Sequence, residues 1–144
     1  MGNRVAYTLD STLDSVNKVE QTAEQLALKV GFAEDDLHKI TMSVREAAVN
    51  AVLHGNAYDP NKKIVVSFET ANDSLAITIT DQGEGFDVEK VPDPLAEENL
   101  LRQSGRGIFL IRAFMNEFRV RRLEPKGTEV RMVKYPSVEN SKEE

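Results

Sequence analysis

The sequence contains no cysteine and only two histidines, His38 and His54. Without thiols, the chain has no disulfide, no thiolate nucleophile and no cysteine-based zinc site. Two imidazoles also argue against a metal cage built from several histidines. Catalytic chemistry in this chain must therefore come from other side chains.

Basic residues are in the minority: 18 Lys and Arg face 24 Asp and Glu, a net charge of −6. This balance argues against a general binder of nucleic acids or anionic membranes, which needs a basic face. A nucleotide ligand stays open, because one loop supplies enough local positive field. No apolar run approaches the roughly 18 residues of a membrane span, and the N-terminus lacks a signal-peptide pattern. We expect a cytoplasmic protein without direct contact to nucleic acid or membrane.

The length of 144 residues corresponds to one domain. Hydrophobic residues make up 40% of the chain and charged residues 29%, both ordinary values for a globular protein. We expect a single domain over residues 1–136 and a polar, disordered tail over residues 137–144.

Hydrophobic spacing predicts the element order β-α-α-β-β-α-β-β. The first half of the chain is predicted to form a strand around residues 5–9, a helix capped by Asp10 or Ser11 that ends near Val30 before Gly31, and a helix from Glu34 or Asp35 to Leu53 or His54. The second half is predicted to form a hairpin with strands around residues 64–68 and 75–79, a helix over residues 108–116 and a hairpin over residues 118–133. This order fits an α/β (α+β) two-layer sandwich, in which helices cover one face of a mostly antiparallel, mixed sheet.

The second predicted helix carries Glu46, Asn50 and His54 at steps of four, which places them on one face away from the apolar stripe. A carboxylate beside a carboxamide can orient a water or a hydroxyl and complete the shell of a hard cation such as Mg²⁺. Spacing alone leaves open that this is simply the solvated face of the helix. His54 alone also fits a residue near the negative end of the helix dipole.

Three glycine-containing segments follow. Residues 81–86 (DQGEGF) come directly after a predicted strand, where the glycines permit close approach of a ligand and the acid can accept a hydrogen bond from an exocyclic amine. An ordinary turn has the same composition. Residues 105–107 (GRG) precede a helix and form either an anion site or a hinge. Residues 126–128 (KGT) fit a hairpin turn.

Together and in this order, these segments resemble the motifs of the GHKL ATPase superfamily, which includes gyrase, Hsp90, histidine kinases and MutL. Within it, the chain looks most like the anti-sigma factor serine/threonine kinases of bacteria. The N box corresponds to residues 46–55 (EAAVNAVLHG), the G1 box to residues 81–86 and the G2 box to residues 105–111 (GRGIFLI). The resemblance spans roughly residues 5–135.

The resemblance implies a histidine-kinase-like ATPase fold with ATP and Mg²⁺ as cofactors. It implies that Glu46 is the general base, that Asn50 binds the magnesium and the nucleotide, and that Asp81 accepts a hydrogen bond from the adenine amino group. The other nucleotide-binding residues that it implies are Gly83, Gly85, Gly105, Arg106, Gly107 and Thr128. It also implies a mobile lid over residues 88–104. Whether Arg106 contacts a phosphate, the solvent or a partner stays open.

The resemblance further implies a protein kinase that sequesters a sigma factor and phosphorylates an anti-anti-sigma protein on serine or threonine. It implies a homodimer formed through the first strand and helix. Since no phospho-accepting histidine hairpin or sensor segment precedes the domain, we expect a stand-alone regulator. The alternatives are an ATPase or kinase whose partner lies outside sigma control, and a nucleotide-gated binding module that transfers no phosphate.

Overall fold

The structure, a computed structural model, describes residues 2–83 and 107–136. Its elements are β1 (Asn3–Asp10), α1 (Leu13–Val30), α2 (Glu34–Val49), a π-helical turn (Asn50–Gly55), β2 (Lys63–Thr70), β3 (Leu75–Asp81), α3 (Gly107–Phe114), β4 (Glu117–Arg122) and β5 (Thr128–Lys134). The order of strands and helices agrees with the sequence prediction. The predicted lid and tail lie outside the described residues.

The five strands form one sheet in the order β1-β2-β3-β5-β4. Each neighbouring pair is antiparallel, and no parallel pair occurs among these strands. The register pairs Asp81 at the end of β3 with Thr128 at the start of β5. The predicted two-layer sandwich is confirmed, and its topology brings two of the predicted site residues to the same end of the sheet.

A single hydrophobic core lies between the helices and one face of the sheet. Alternate residues of the central strands point into it, as the period of two in a strand requires. Fully buried members from the sheet and from α2 are Ile64, Val66, Phe68, Ile77, Ile79, Ile40, Val44 and Ala48. Each large apolar side chain buried in this way contributes about 1.5–3 kcal/mol. The core therefore holds α2 and the central strands in a fixed relation.

Helix α1 begins later than the sequence predicted. Its N-cap is Thr12, whose hydroxyl accepts a hydrogen bond from the Ser15 N–H at 3.2 Å. The predicted cap at Asp10 or Ser11 is wrong, because the Ser11 hydroxyl is buried and donates to the Lys62 carbonyl at 2.6 Å. The predicted stop at Gly31 is confirmed by its left-handed φ of 104°.

Helix α2 changes its hydrogen-bonding pattern at Asn50. The α-helix ends at Val49, and the π-helical turn follows without a break; at its end the Asn56 N–H donates to the Ala51 carbonyl, five residues back, at 2.8 Å. The predicted helix to Leu53 or His54 is therefore present and continues to Gly55, but its last turn is π-helical. Such π-helical turns are rare and are frequent at functional sites.

Candidate functional site

Asp81, the last residue of β3, is a buried acidic residue, with 8% of its surface exposed. It accepts hydrogen bonds from the main-chain N–H of Gly83, at 2.9 Å, and from that of Thr128. Burial raises the pKa of Asp81, whereas these two hydrogen bonds and the charge of Lys62 act in the opposite direction without cancelling the rise. The strand end thus presents a buried, firmly oriented acceptor.

Two glycines make the contact between the π-helical turn and the segment after β3. A Cβ added to Gly55 would lie 2.3 Å from Asp81 Oδ2, and a Cβ added to Gly83 would lie 1.9 Å from the Gly55 carbonyl oxygen. Neither position has room for a side chain. The resemblance assigns Gly83 to nucleotide binding, but a glycine is also required at this position for the close packing of residue 83 against Gly55.

The hairpin between β4 and β5 packs closely against the main chain of Asp81. Gly127 has a left-handed φ of 115°, and a Cβ there would lie 2.6 Å from the Asp81 carbonyl oxygen. This close approach places the half-buried Thr128 directly beside Asp81. The structure thus brings together Asp81, Gly83 and Thr128, three of the residues that the sequence singled out.

Glu46 and Asn50 lie one turn apart at the C-terminal end of α2, and both are half-buried. The Asn50 Nδ2 atom is buried and has no hydrogen-bond partner within the described residues. An unsatisfied buried donor costs about 1–3 kcal/mol, so an amide donor without a partner among residues 2–83 and 107–136 is available to a ligand. Glu46 likewise makes no hydrogen bond or ion pair with another residue of the ranges 2–83 and 107–136. His54, one step of four after Asn50, is exposed.

Of the four remaining residues that the resemblance assigns to the nucleotide, only Gly107 lies within the described part of the chain. Gly107 is the first residue of α3. Gly85, Gly105 and Arg106 lie outside the described residues, and their assignments stay predictions.

Sequence reasoning missed Asn56, which follows the π-helical turn. Its side chain is completely buried, and its Oδ1 accepts the Gln82 N–H at 2.8 Å. The only available signal was an asparagine immediately after the glycine that closes the N-box segment, at a helix end where such residues are common. The sequence therefore suggested a helix stop rather than a contact with the segment after β3.

Comparisons with known proteins show the family of this domain. A family model described as a histidine kinase-like ATPase domain matches residues 9–134. Two similar curated proteins are named serine-protein kinase RsbW. The one from Staphylococcus epidermidis is 33% identical over 140 residues, covering 91% of this chain and 86% of the relative. The one from Bacillus licheniformis is 32% identical over 126 residues, covering 83% and 78%.

A solved structure shares the fold. The crystal structure of the RsbU and RsbW domains of a Mycobacterium tuberculosis protein superimposes with a TM-score of 0.65 at 20% identity. The match covers 94% of this chain and 33% of that chain, so the present chain spans about a third of the solved protein. The class that fold and family model define is a histidine-kinase-like ATPase domain, a class that binds ATP. Within this class, the chain belongs to the RsbW serine-protein kinase family.

Proposed function

We propose that this protein is an ATP-dependent serine/threonine kinase that acts as an anti-sigma factor, sequestering a sigma factor and phosphorylating an anti-anti-sigma protein. Membership of the RsbW family supports the activity. The observation that carries the site assignment is the buried Asp81 carboxylate at the end of β3, joined through Gly55 to the helix turn that begins at Asn50. Base recognition and phosphate chemistry would thus occupy adjacent parts of one site.

Asp81 would recognise the adenine ring of ATP. Adenine carries an amino donor where guanine carries a carbonyl acceptor, so a carboxylate in this position favours adenine and repels guanine. The N–H groups of Gly83 and Thr128 hold the carboxylate in place, and Thr128 would also support the edge of the base. Gly85, by resemblance, would let the main chain approach the ring.

Asn50 would hold the magnesium ion through its carboxamide oxygen, a ligand type that hard cations accept. The Nδ2 atom of the same carboxamide is buried and has no partner in the described structure, so this donor would be available to a phosphate oxygen of the nucleotide. The bound ion would neutralise phosphate charge. Gly105, Arg106 and Gly107 would, by resemblance, surround the phosphates, with Gly107 at the start of α3 supplying main-chain N–H groups.

Glu46 would be the general base of phosphoryl transfer. It would accept the proton of the serine or threonine hydroxyl as that oxygen bonds to the γ-phosphorus of ATP and the bond to the ADP oxygen breaks. Its position one turn before Asn50 and its lack of a partner in the described structure leave the carboxylate available for this role. Positioning supplies most of the catalysis in such reactions, and a general base adds about 10²–10⁴-fold.

A homodimer formed through β1 is part of the proposal. Strand β1 is an edge strand, since its only neighbour in the described sheet is β2. Val5 and Tyr7 point to the helix side of the sheet but remain 42% and 36% exposed. An edge that carries exposed apolar side chains is suited to pairing with a second copy.

We also propose that the protein acts in the cytoplasm. Among the helices of the described residues, none has the length and hydropathy of a membrane span.

The decisive assay incubates the full chain with Mg·ATP labelled in the γ-phosphate and an anti-anti-sigma protein from the same host. We expect Glu46→Gln to lower the rate of label transfer by about 10²–10⁴-fold while ATP affinity is unchanged. Glu34→Gln, an exposed carboxylate at the other end of the same helix, is the matched control and should transfer label at the parental rate.

The assay also separates the alternatives. A Glu46→Gln variant that transfers label at the parental rate would show that Glu46 is not the base. A parent protein that binds ATP and releases its partner on binding, without labelling it, would identify a nucleotide-gated binding module. Label transfer to proteins unrelated to sigma regulation would place the kinase outside sigma control.

A further inference from the structure

Asn56 uses its whole carboxamide to join three separate segments of the chain. The Oδ1 atom accepts the main-chain N–H of Gln82 at 2.8 Å. The Nδ2 atom donates to Ser11 Oγ at 2.9 Å and to the Lys63 carbonyl at 3.0 Å. The residue is 0% exposed, so water is not available to replace a lost partner.

The main chain around Asn56 is held in a strained conformation. Ala57 and Tyr58 have positive φ angles of 53° and 58°, a region that residues with a side chain seldom adopt. Such residues are energetically unfavourable and persist where the surrounding structure over-determines them. Hydrogen bonds from the Tyr58 N–H to the Val52 carbonyl, at 3.0 Å, and from the Asp59 N–H to the Asn56 carbonyl, at 2.9 Å, provide that constraint.

Gln82 is the link between Asn56 and the Asp81 carboxylate. It lies between Asp81 and Gly83, and its own Oε1 accepts the Lys63 N–H at 2.6 Å. Gly83 in turn donates its N–H to Asp81 Oδ1 at 2.9 Å. The direction of the carboxylate therefore depends on the path of residues 81–83, and Asn56 fixes this path by its bond to the middle residue.

Asn56 also stands next to Gly55, which touches the Asp81 carboxylate, and directly after the turn that begins at Asn50. The buried amide of Asn56 thus ties the acceptor at the end of β3 to the helix end that carries Asn50. A change in Asn56 would alter the relation between these two parts without removing either.

We propose that Asn56 is a positioning residue for purine recognition, acting through the Gln82 main chain on the Asp81 carboxylate. This inference rests on the proposed nucleotide site and adds a specificity-determining residue to it. Asn56 does not touch the nucleotide in this account. Its role is to keep the carboxylate aimed at the base, so its loss reduces discrimination between purines more than it reduces binding of the phosphates.

The test measures ATP and GTP affinities of the full chain by titration calorimetry, at a temperature where circular dichroism shows each variant folded. In Asn56→Ser the shorter side chain no longer reaches Gln82, and we expect the ATP-to-GTP affinity ratio to fall by about tenfold or more. The magnesium dependence of binding should persist. The matched control is Ser11→Ala. It removes the hydroxyl that accepts a hydrogen bond from Asn56 Nδ2 but leaves the bond from Gln82 to Asn56 intact. Its ATP-to-GTP affinity ratio should equal that of the parent.

Asn56→Asp is the conservative variant: it keeps an acceptor oxygen for Gln82, and its carboxyl in the protonated form, which burial and the facing Lys63 carbonyl favour, keeps one donor in place of the two of Nδ2. We expect it to retain the parental ratio, and it serves as the test if Asn56→Ser does not fold. A folded Asn56→Ser with the parental ratio, or a folded Asn56→Asp that has lost it, would overturn the inference. If instead the parent itself does not distinguish ATP from GTP, the assignment of Asp81 fails, and the positioning role of Asn56 fails with it.

Discussion

The carboxylate of Asp81 lies directly against the α-carbon of Gly55: a Cβ built on Gly55 would be 2.3 Å from Oδ2 and 2.5 Å from Cγ. These residues are 26 positions apart in the sequence, one at the end of a helix and the other at the end of a strand. Their contact joins the N-box and G1-box segments. Four changes to this region and to the dimer edge test the account.

Gly55→Ala should disrupt this contact. The added methyl group has no space, so we expect the free energy of unfolding to fall by about 1–3 kcal/mol and ATP affinity to fall with it, because the carboxylate must move. Gly31→Ala is the matched control: no atom lies within 4 Å of its added Cβ, and its left-handed backbone costs about 1–2 kcal/mol. Calorimetry should show parental ATP affinity for Gly31→Ala only. Equal affinities for both variants would contradict the proposed role of the contact.

Asp81→Asn should stabilise the protein without nucleotide at neutral pH. Burial raises the pKa of Asp81 above its ordinary value of 3.8, so the folded state holds the proton more tightly than the unfolded state does. The stabilisation that protonated Asp81 gives the folded state is fully present below pH 3.8, its ordinary pKa. It is lost as the pH rises through the higher pKa that Asp81 has in the folded state. The neutral variant avoids that loss. Urea unfolding across this pH range should show a stability difference that grows with pH; a parent more stable than Asp81→Asn at neutral pH would refute the expectation.

Asn50→Ala should separate folding from metal-dependent binding. Removing the Nδ2 donor, which has no partner among the described residues, should leave the free energy of unfolding unchanged or raise it by about 1 kcal/mol. The affinity for ATP in the presence of magnesium should fall by about tenfold or more and become insensitive to chelation of the metal. His54→Ala, an exposed site in the same turn, should behave as the parent. The metal assignment fails if the parent binds ATP equally well with and without magnesium.

Val5→Lys should convert the proposed dimer into a monomer. A charged side chain on the edge strand opposes pairing with a second copy, and Val5 is already 42% exposed, so the fold should tolerate the change. Val65→Lys is the control, because Val65 is similarly exposed at 39% but lies on β2, inside the sheet. Sedimentation equilibrium should report a monomer for Val5→Lys only. A parent that is monomeric, or a Val5→Lys variant that remains dimeric, would exclude this interface.

The sequence was sufficient for those features that local chemistry determines. Apolar residues alternate in residues 64–68 and 75–79 and recur at steps of three and four in the helices. These two patterns predicted the strands, the helices and the sandwich, and Gly31 predicted the end of a helix. The site residues Asp81 and Thr128 could be selected only through the resemblance of their motifs to the ATPase superfamily, because position alone also fitted an ordinary turn after β3 and a hairpin turn before β5. Their pairing across β3 and β5 depends on strand order, which the sequence did not contain in readable form.

The rest depends on long-range contacts. The change from α- to π-helical hydrogen bonding at Asn50 has no local signal, since it accompanies the contact of Gly55 with Asp81 and Gly83. The positive φ angles of Ala57 and Tyr58 run against the intrinsic preference of both residues. The same contacts give Asn56 its role.

The central claim is that the Asp81 carboxylate recognises adenine, and titration of the parent and Asp81→Asn with Mg·ATP and Mg·GTP tests it most directly. We predict that the parent prefers ATP by about a hundredfold or more, since a site built to bond a donor rejects an analogue without it, and that Asp81→Asn loses most of this preference. A parent that binds GTP as tightly as ATP, or an Asp81→Asn variant with the full preference for ATP, would contradict the account.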